Sequence, residues 1–219
     1  LREIIQRGQA GIWRYGGDIP FSSNPVTLGE GGTPLVKARW WRGSELFLKL
    51  EYVSPSGSFK DRGASVSLTR AKVLGCGSIV EDSTGNAGIA ASMYAARAEI
   101  SARIYVPSDA PESKKWLMRA CGAEVVECES RVESAKRAVG ELGGKDLYIG
   151  HSWDPFYIEG MKTVAFEVFE SGIVPKAIVV PVASGTLLMG IFHGFQELLA
   201  AGLVDALPRI IGVQGAGCA

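Results

Sequence analysis

Apolar residues along this chain fall into short runs, separated at regular intervals by glycine, proline and small polar residues. From residue 77 onward the runs alternate in character. GSIVED (77–82), SARIYVP (101–107), AEVVECE (123–129), DLYIG (146–150), KAIVVPV (176–182) and RIIGVQ (209–214) are short and rich in β-branched residues, which predicts strands. Between them lie longer segments with helical spacing. These are NAGIAASMYAARA (86–98), PESKKWLMRACG (111–122), SRVESAKRAVGEL (130–142), IEGMKTVAFEVFES (158–171) and SGTLLMGIFHGFQELLAAG (184–202). Pro111 and Gly122 mark the start and end of one of them. Strands alternating with helices predict βαβ units and a parallel α/β sheet. Upstream, residues 1–45 read as irregular, with turns at GGDIP (16–20) and GEGGTPL (29–35). LFLKLEYV (46–53) predicts a strand, and residues 57–74 a helix stopped by Gly75. RIIGVQ is followed by GAGCA, with no helix to cover its face, whereas parallel strands are normally buried on both sides. The expectation is a piece of a longer chain.

Composition narrows the class. A chain of 219 residues holds one large domain or two small ones. Lysine plus arginine and aspartate plus glutamate both number 23, and no Lys/Arg run exceeds two residues, which argues against a nucleic-acid partner. Cys76, Cys121, Cys128 and Cys218 form no CxxC pair and only two histidines exist, so no metal site is expected and the thiols read as reduced, in a cytoplasmic protein. LREIIQRGQAG lacks the apolar core of a signal peptide, and no apolar window is long enough for a membrane helix. Glycine stands out: 28 residues, nearly double the usual share of about 7%. That excess points to tight turns and close backbone approaches to a ligand.

Three loops carry candidate chemistry. In SPSGSFKDRG (54–63), Lys60 falls where a loop becomes a helix, and a cation opposes the partial positive charge of a helix N-terminus. One reading is an ordinary helix start, with Ser58 as cap, Asp61 in the first turn and Lys60 solvated. The other makes Lys60 an amine nucleophile for a carbonyl cofactor, its pKa lowered by burial. EDSTGNAG (81–88) is a strand-to-helix turn whose small residues free backbone N–H groups for a carboxylate or phosphate. Asn86 is an unexpected helix opener, with an amide able to bind a ligand oxygen. PVASGTLL (181–188) repeats the strand-to-helix arrangement, offering Ser184, Gly185 and Thr186 to a phosphate; no Walker loop and no GxGxxG occurs. A lysine, a carboxylate cradle and a phosphate cradle at the carboxyl ends of parallel strands suit a phosphorylated aldehyde condensed with an amino acid.

IWRYGGDIP, GEGGTPL, SGSFKDRG, STGNAG and IEGMKTVAFEV, in that order and spanning nearly the whole chain, resemble the fold type II pyridoxal-phosphate enzymes, the tryptophan-synthase-β family. SFKDRG followed by STGN resembles its threonine-synthase branch. The resemblance implies two open parallel or mixed α/β sheets, with a small mobile domain (64–149) inserted in a larger one (1–63 and 150–219). It implies pyridoxal 5'-phosphate held by Lys60 as a Schiff base, with Lys60 later carrying the α-proton. Asn86 would contact the cofactor's ring hydroxyl, and Ala183, Ser184, Gly185, Thr186 and Leu187 its phosphate. Ser83, Thr84, Gly85 and Ala87 would hold the substrate carboxylate. The implied reaction converts O-phosphohomoserine and water to threonine and phosphate, in a homodimer. The phosphate loop has fewer glycines than the family's. DPFYIEGMK stands where the branch often has NPxRIEGQK, so Asp154 and Tyr157 replace an amide and an arginine that would assist an anionic substrate. Positive charge would then come from Lys49, Lys162 or Arg62. The family's partner for the pyridine nitrogen would lie beyond Ala219. Two alternatives stand beside this reading: serine or threonine dehydration or β-replacement on O-phosphoserine, as in cysteate synthase, and a non-catalytic amino-acid or cofactor-binding module. His151 and His193 read as ordinary polar residues, Trp40 and Trp41 as packing, and Cys121 and Cys128 as inert core thiols.

Overall fold

The computed structural model describes residues 10–217. Its centre is a parallel sheet of β3 (Ser78–Asp82), β4 (Ser101–Pro107), β5 (Glu124–Cys128) and β6 (Asp146–Tyr148), in spatial order β5-β4-β3-β6. The register pairs Ile79 with Ala102 and Leu147, and Ile104 with Val125. Ile79, Val80, Ile104, Tyr105 and Val106 are buried, as expected of inner parallel strands. The chain steps outward from β3 through β4 to β5, then returns to place β6 on the other flank of β3. The switch point between β3 and β6 is where open α/β sheets leave a crevice at their carboxyl ends.

Helices α2 (Asn86–Ala98), α3 (Glu112–Ala120) and α4 (Arg131–Gly140) connect these strands. Ser130 caps α4, accepting from Glu133 N at 3.2 Å. A second parallel pair, β7 (Ala177–Pro181) with β8 (Arg209–Val213), follows α5 (Pro155–Glu170) and flanks α6 (Thr186–Ala200). The apolar β7 buries only Val180 deeply; Val179, Ile211 and Val213 lie exposed on this pair. β1 (Leu35–Lys37) and β2 (Phe47–Lys49) form an antiparallel hairpin.

Several boundaries differ from those the sequence suggests. The strand expected over 46–53 stops at Lys49 and turns into a 3-10 segment, Glu51–Val53, where Glu51 pairs with the buried Arg62 and with Lys49. The helix expected from Gly57 begins at Lys60 as α1 (Lys60–Val73), because Asp61 reaches back to accept from Ser56 N at 2.7 Å and from its hydroxyl, closing residues 56–59 into a turn. α5 begins three residues before the expected 158: Asp154 caps it, accepting from Phe156 N at 3.0 Å, with Pro155 as its first residue. The supposedly irregular N-terminal segment holds a 3-10 turn, Gly11–Tyr15, that buries Ile12, Trp13 and Tyr15. Trp40 and Trp41 are exposed and meet edge to face, ring centres 6.2 Å apart, so they pack on each other and not into the core. Cys121 is half-buried just past α3, while Cys128 is buried; Cys218 lies outside the described residues.

α1 and α5 cross closely enough that a Cβ on Gly160 would lie 2.0 Å from the carbonyl oxygen of Arg62. Between them Arg62 is fully buried. Its Nε and Nη2 donate to Glu51 at 2.8 Å each, and its Nη1 and Nη2 to Glu167 at 2.8 and 2.9 Å. Lys49 Nζ donates to Glu167 at 2.6 Å, and Gly32 N to the same carboxylate at 2.7 Å. Burial alone would raise the Glu167 carboxyl; the Arg62 guanidinium beside it prevails and holds it down at about 2. Its contribution to stability is therefore complete above the ordinary carboxylate pKa and disappears as pH falls from about 4.5 toward 2. Arg62→Met leaves the buried Glu167 and the partly buried Glu51 with Lys49 between them, and is expected to lower the unfolding free energy by about 3–5 kcal/mol at pH 7. Urea unfolding of the variant checks this, and a loss under about 1 kcal/mol would contradict the assignment.

Candidate active site

Lys60 is the first residue of α1, at the mouth of a cavity of about 480 Å³. Its opposite wall is the loop from β7 into α6: Pro181, Val182, Ala183, Ser184, Gly185, Thr186 and Leu187. Val213, Gln214 and Gly215, at the carboxyl end of β8, complete the wall. Gly185 holds φ +83°, a left-handed conformation that admits glycine readily and turns the chain into α6. No side chain caps this helix, so its first N–H groups keep the positive end of the helix dipole open to a ligand. The remaining walls are apolar, with Phe59 beside Lys60. An amine facing an uncapped helix start across an apolar hollow fits pyridoxal phosphate, which needs an amine for its aldehyde and N–H donors for its phosphate.

Beneath Lys60 lies Tyr157. Its hydroxyl donates to the Lys60 carbonyl at 2.9 Å, and Lys60 Nζ sits 5.5 Å from its ring centre and 5.0 Å from that of Phe59. The ring reaches this position because residue 63 is glycine: a Cβ there would lie 2.2 Å from the Tyr157 ring. Burial pushes the Lys60 amine down to about 8, against the opposing pull of Glu81. The ring faces favour the ammonium form, but loss of hydration outweighs them. The amine is thus within reach of its neutral, nucleophilic form near neutral pH.

Ser83, Thr84, Gly85, Asn86 and Ala87 are not among the residues lining this cavity. They form the turn from β3 into α2, where Gly85 N donates to Ser83 Oγ at 3.2 Å. Asn86 opens α2 and its amide oxygen accepts from Lys114 Nζ at 3.2 Å. Lys49, expected at the substrate, lines a separate hollow with Arg14, Thr33 and Glu170, held there by Glu167. Lys162 is committed to Glu159 and Glu197 at 2.7 and 2.9 Å, and Arg62 to Glu51 and Glu167. Three cations considered for an anionic substrate are therefore neutralised within the fold, and Lys114 is the one brought to the 83–87 turn.

Asp154 also differs from its expected place beside a substrate. It is buried, accepts from Ser67 Oγ at 2.7 Å, pairs with Arg70 at 3.4 Å and caps α5. His151, read as ordinary, stands with its Nδ1 2.5 Å from Glu81 Oε1, its ring centre 6.3 Å from that of Tyr157. No local pattern marked this pair: Glu81 is one of two adjacent acids at the end of β3, and His151 sits in the turn after β6.

This is the fold of a pyridoxal-phosphate enzyme of fold type II. Residues 26–219 match the family described as pyridoxal-phosphate dependent enzymes, and the chain belongs to that family. It is 34% identical to threonine synthase of Methanosarcina acetivorans over 94% of this chain and 53% of that protein. It is also 34% identical to threonine synthase of Methanocaldococcus jannaschii over 98% of this chain and 56% of that protein. The chain thus spans about half the length of the curated relatives it matches. Among solved structures it resembles an L-serine ammonia-lyase from Rhizomucor miehei (TM-score 0.75, 25% identity, 89% of this chain and 62% of that one). Maize serine racemase matches with TM-score 0.72 and 28% identity over 84% of this chain and 56% of that one.

The depressed Lys60 makes a prediction about stability. The unfolded lysine holds its proton to about 10.5 and the folded one to about 8, so stability rises as pH climbs through that window. Lys60→Met removes the rise and stabilises the protein at pH 7 by about 1–3 kcal/mol. Urea unfolding at pH 7 and pH 10 checks both; a variant no more stable than the parent at pH 7 would show that the amine is not desolvated.

Proposed function

We propose that this chain carries the cofactor-binding half of a threonine-synthase-type lyase, converting O-phosphohomoserine and water to threonine and phosphate. The observation that carries the reading is the single cavity in which Lys60 faces the loop Ala183–Leu187. When bound, pyridoxal phosphate supplies an aldehyde for amines and a ring that stores the electron pair left when the substrate Cα–H bond breaks. The loop Ala183–Leu187 and the α6 N-terminus hold its phosphate, with Gly185 allowing the close approach. Lys60 Nζ, which burial lets shed its proton at about 8, takes the α-proton from its neutral form and later returns one. Ser83, Thr84, Gly85 and Ala87 hold the substrate carboxylate on backbone N–H groups, and Asn86 contacts the cofactor's ring hydroxyl. Lys114, hydrogen-bonded to Asn86, brings the positive charge that an anionic substrate needs at this turn. Phosphate leaves from the γ-carbon and water adds at the β-carbon, so the atoms of substrate and water are all accounted for. Closure of residues 64–149 over the cavity excludes bulk water during these steps.

A second reading keeps the cofactor and changes the reaction to serine or threonine dehydration, or β-replacement on O-phosphoserine. It is favoured by the absence of an arginine at position 157 and by the likeness to an ammonia-lyase and a racemase. The full-length protein, given pyridoxal phosphate and a panel of serine, threonine, O-phosphoserine and O-phosphohomoserine, separates the two. Phosphate release from O-phosphohomoserine alone is expected; ammonia and 2-oxoacid from serine would replace the first reading with the second. Lys60→Ala is expected to abolish turnover and the absorption of bound cofactor, and retention of either would refute the role of Lys60. Lys114→Met is expected to raise KM for the phosphorylated substrate roughly 5- to 150-fold, the loss of one charge-assisted hydrogen bond. An unchanged KM would remove Lys114 from the site.

A further inference from the structure

Tyr157 is buried in the first turn of α5, and its hydroxyl donates to the carbonyl oxygen of Lys60, the first residue of α1, at 2.9 Å. The bond ties together the opening turns of two helices whose residues lie 97 positions apart. Helix ends fray unless something holds them. Phe59, the residue before α1, gives no capping hydrogen bond, and the Lys60 N–H reaches Ser58 Oγ only at 3.3 Å. The Tyr157 ring is pinned as well. Gly63 leaves room for it, since a Cβ there would lie 2.2 Å away. His151, held by Glu81 at 2.5 Å, meets it edge to face with ring centres 6.3 Å apart. Lys60 Nζ rests 5.5 Å from the centre of this ring and 5.0 Å from that of Phe59, and among the described residues no hydrogen bond or ion pair holds that nitrogen.

We propose that Tyr157 is the positioning residue of the site: its hydroxyl fixes the Lys60 backbone and its ring supports the side chain, so that Nζ meets the Ala183–Leu187 loop in one orientation. A lysine carries its amine on a flexible four-carbon stem, and ordering that stem takes an interaction somewhere along it. An acceptor on Nζ would order it but would favour the ammonium form, whose lone pair is unavailable. A backbone tether and ring faces order it without an acceptor. Capture of an aldehyde then uses the free lone pair: a C=N bond forms at Nζ, its two N–H bonds break, and the carbonyl oxygen leaves as water, with no oxidant or reductant. A ligand docked by its phosphate at the α6 N-terminus cannot turn to follow a wandering amine, so the placement of Nζ governs its capture. Tyr157 acts through Lys60 and not on the ligand, because its hydroxyl is committed and it is not among the residues lining the cavity.

This inference rests on Lys60 being the amine that takes the cofactor aldehyde, as proposed above, and its test does not depend on which reaction follows. The full-length Tyr157→Phe protein keeps the ring and lacks the hydroxyl; it is compared with the parent through two reagents at pH 7. Pyridoxal phosphate docks by its phosphate before it reacts. Its capture is followed by the absorption of bound cofactor and located at Lys60 by borohydride reduction and peptide mass spectrometry. Acetic anhydride is small, undocked and attacks a neutral amine from any side, so it senses the protonation of Lys60 but not its placement. The variant is expected to capture pyridoxal phosphate roughly three- to ten-fold more slowly, the loss of one buried hydrogen bond, while Lys60 is acetylated at the parent rate. Equal capture by folded Y157F would make Tyr157 a packing residue and overturn the proposal. A parallel change in both rates would mean that the tyrosine acts on protonation, and would overturn it too. If Y157F does not fold, a crystal structure of the parent with pyridoxal phosphate bound decides. Tyr157 Oη is expected within about 3.2 Å of the Lys60 carbonyl oxygen, and a broken contact would overturn the proposal. Failure of the parent itself to capture cofactor at Lys60 would reject the role of Lys60 and this inference with it, whereas equal capture by parent and variant rejects the role of Tyr157 alone.

Discussion

The Arg62 guanidinium is the interaction on which the rest depends. It is fully buried, and its five donors are divided between Glu51 after β2 and Glu167 on α5, with Thr163 at 2.9 Å. Such an arginine fixes the rotation of α1, because turning the helix by even one residue would pull a buried guanidinium off both of its carboxylates and leave Lys49 as the cation shared between them. Lys60 lies two positions earlier on the same helix, about 200° around its axis. With Arg62 directed at the network, Lys60 must project from the other side, which is where the cavity and the α6 loop lie. The charge cluster is thus the device that aims the proposed reactive amine, and the D-R of FKDRG belongs to the site for that reason. The network also draws in Gly32 N and Thr33, so the GEGGTPL turn is anchored by the same carboxylates.

Close helix packing does the remaining positioning. Glycines at 63 and 160 let α1 and α5 approach until the Tyr157 ring fits under Lys60, and glycines at 190 and 194 bring α6 against Met161 and Lys162 in the same way. One helix, α5, therefore holds both walls of the cavity: α1 with its lysine on one side and α6 with its open N-terminus on the other. Part of the glycine excess is explained by these crossings, where any side chain would meet backbone.

Legibility followed the range of the interactions involved. α2 and β4 coincide with the segments read from sequence, because local spacing and turn residues determine them. The Lys60 and 183–187 segments, singled out as short turns into helices, do meet in one cavity, whereas the 83–87 turn does not line it. What could not be read was pairing across the chain. Lys49 looks like a free cation at the end of a strand until Glu167, over a hundred residues later, claims it. Asp154 looks like a misplaced charge near a substrate until Ser67 and Arg70 are seen to hold it at a helix cap. His151 looks unremarkable until the sheet order places it across from Glu81. No one-dimensional pattern encodes these three, because strand order and helix crossings decide them.

The residue at position 157 joins these threads. Its side chain forms the surface beneath Lys60, so its chemistry sets the charge that the amine meets. An arginine there would place a second cation against the lysine and deepen the depression of its pKa. A tyrosine is neutral and bulky, and leaves Glu81 as the charge that opposes burial. The tyrosine that stands in place of the arginine of NPxRIEGQK is then a change in the charge beneath the lysine. Lys114 stands at the 83–87 turn beside Asn86, and the surface under Lys60 is a phenol. A phenol adds no cation there, so the Lys60 amine is lowered by burial and not by a neighbouring positive charge.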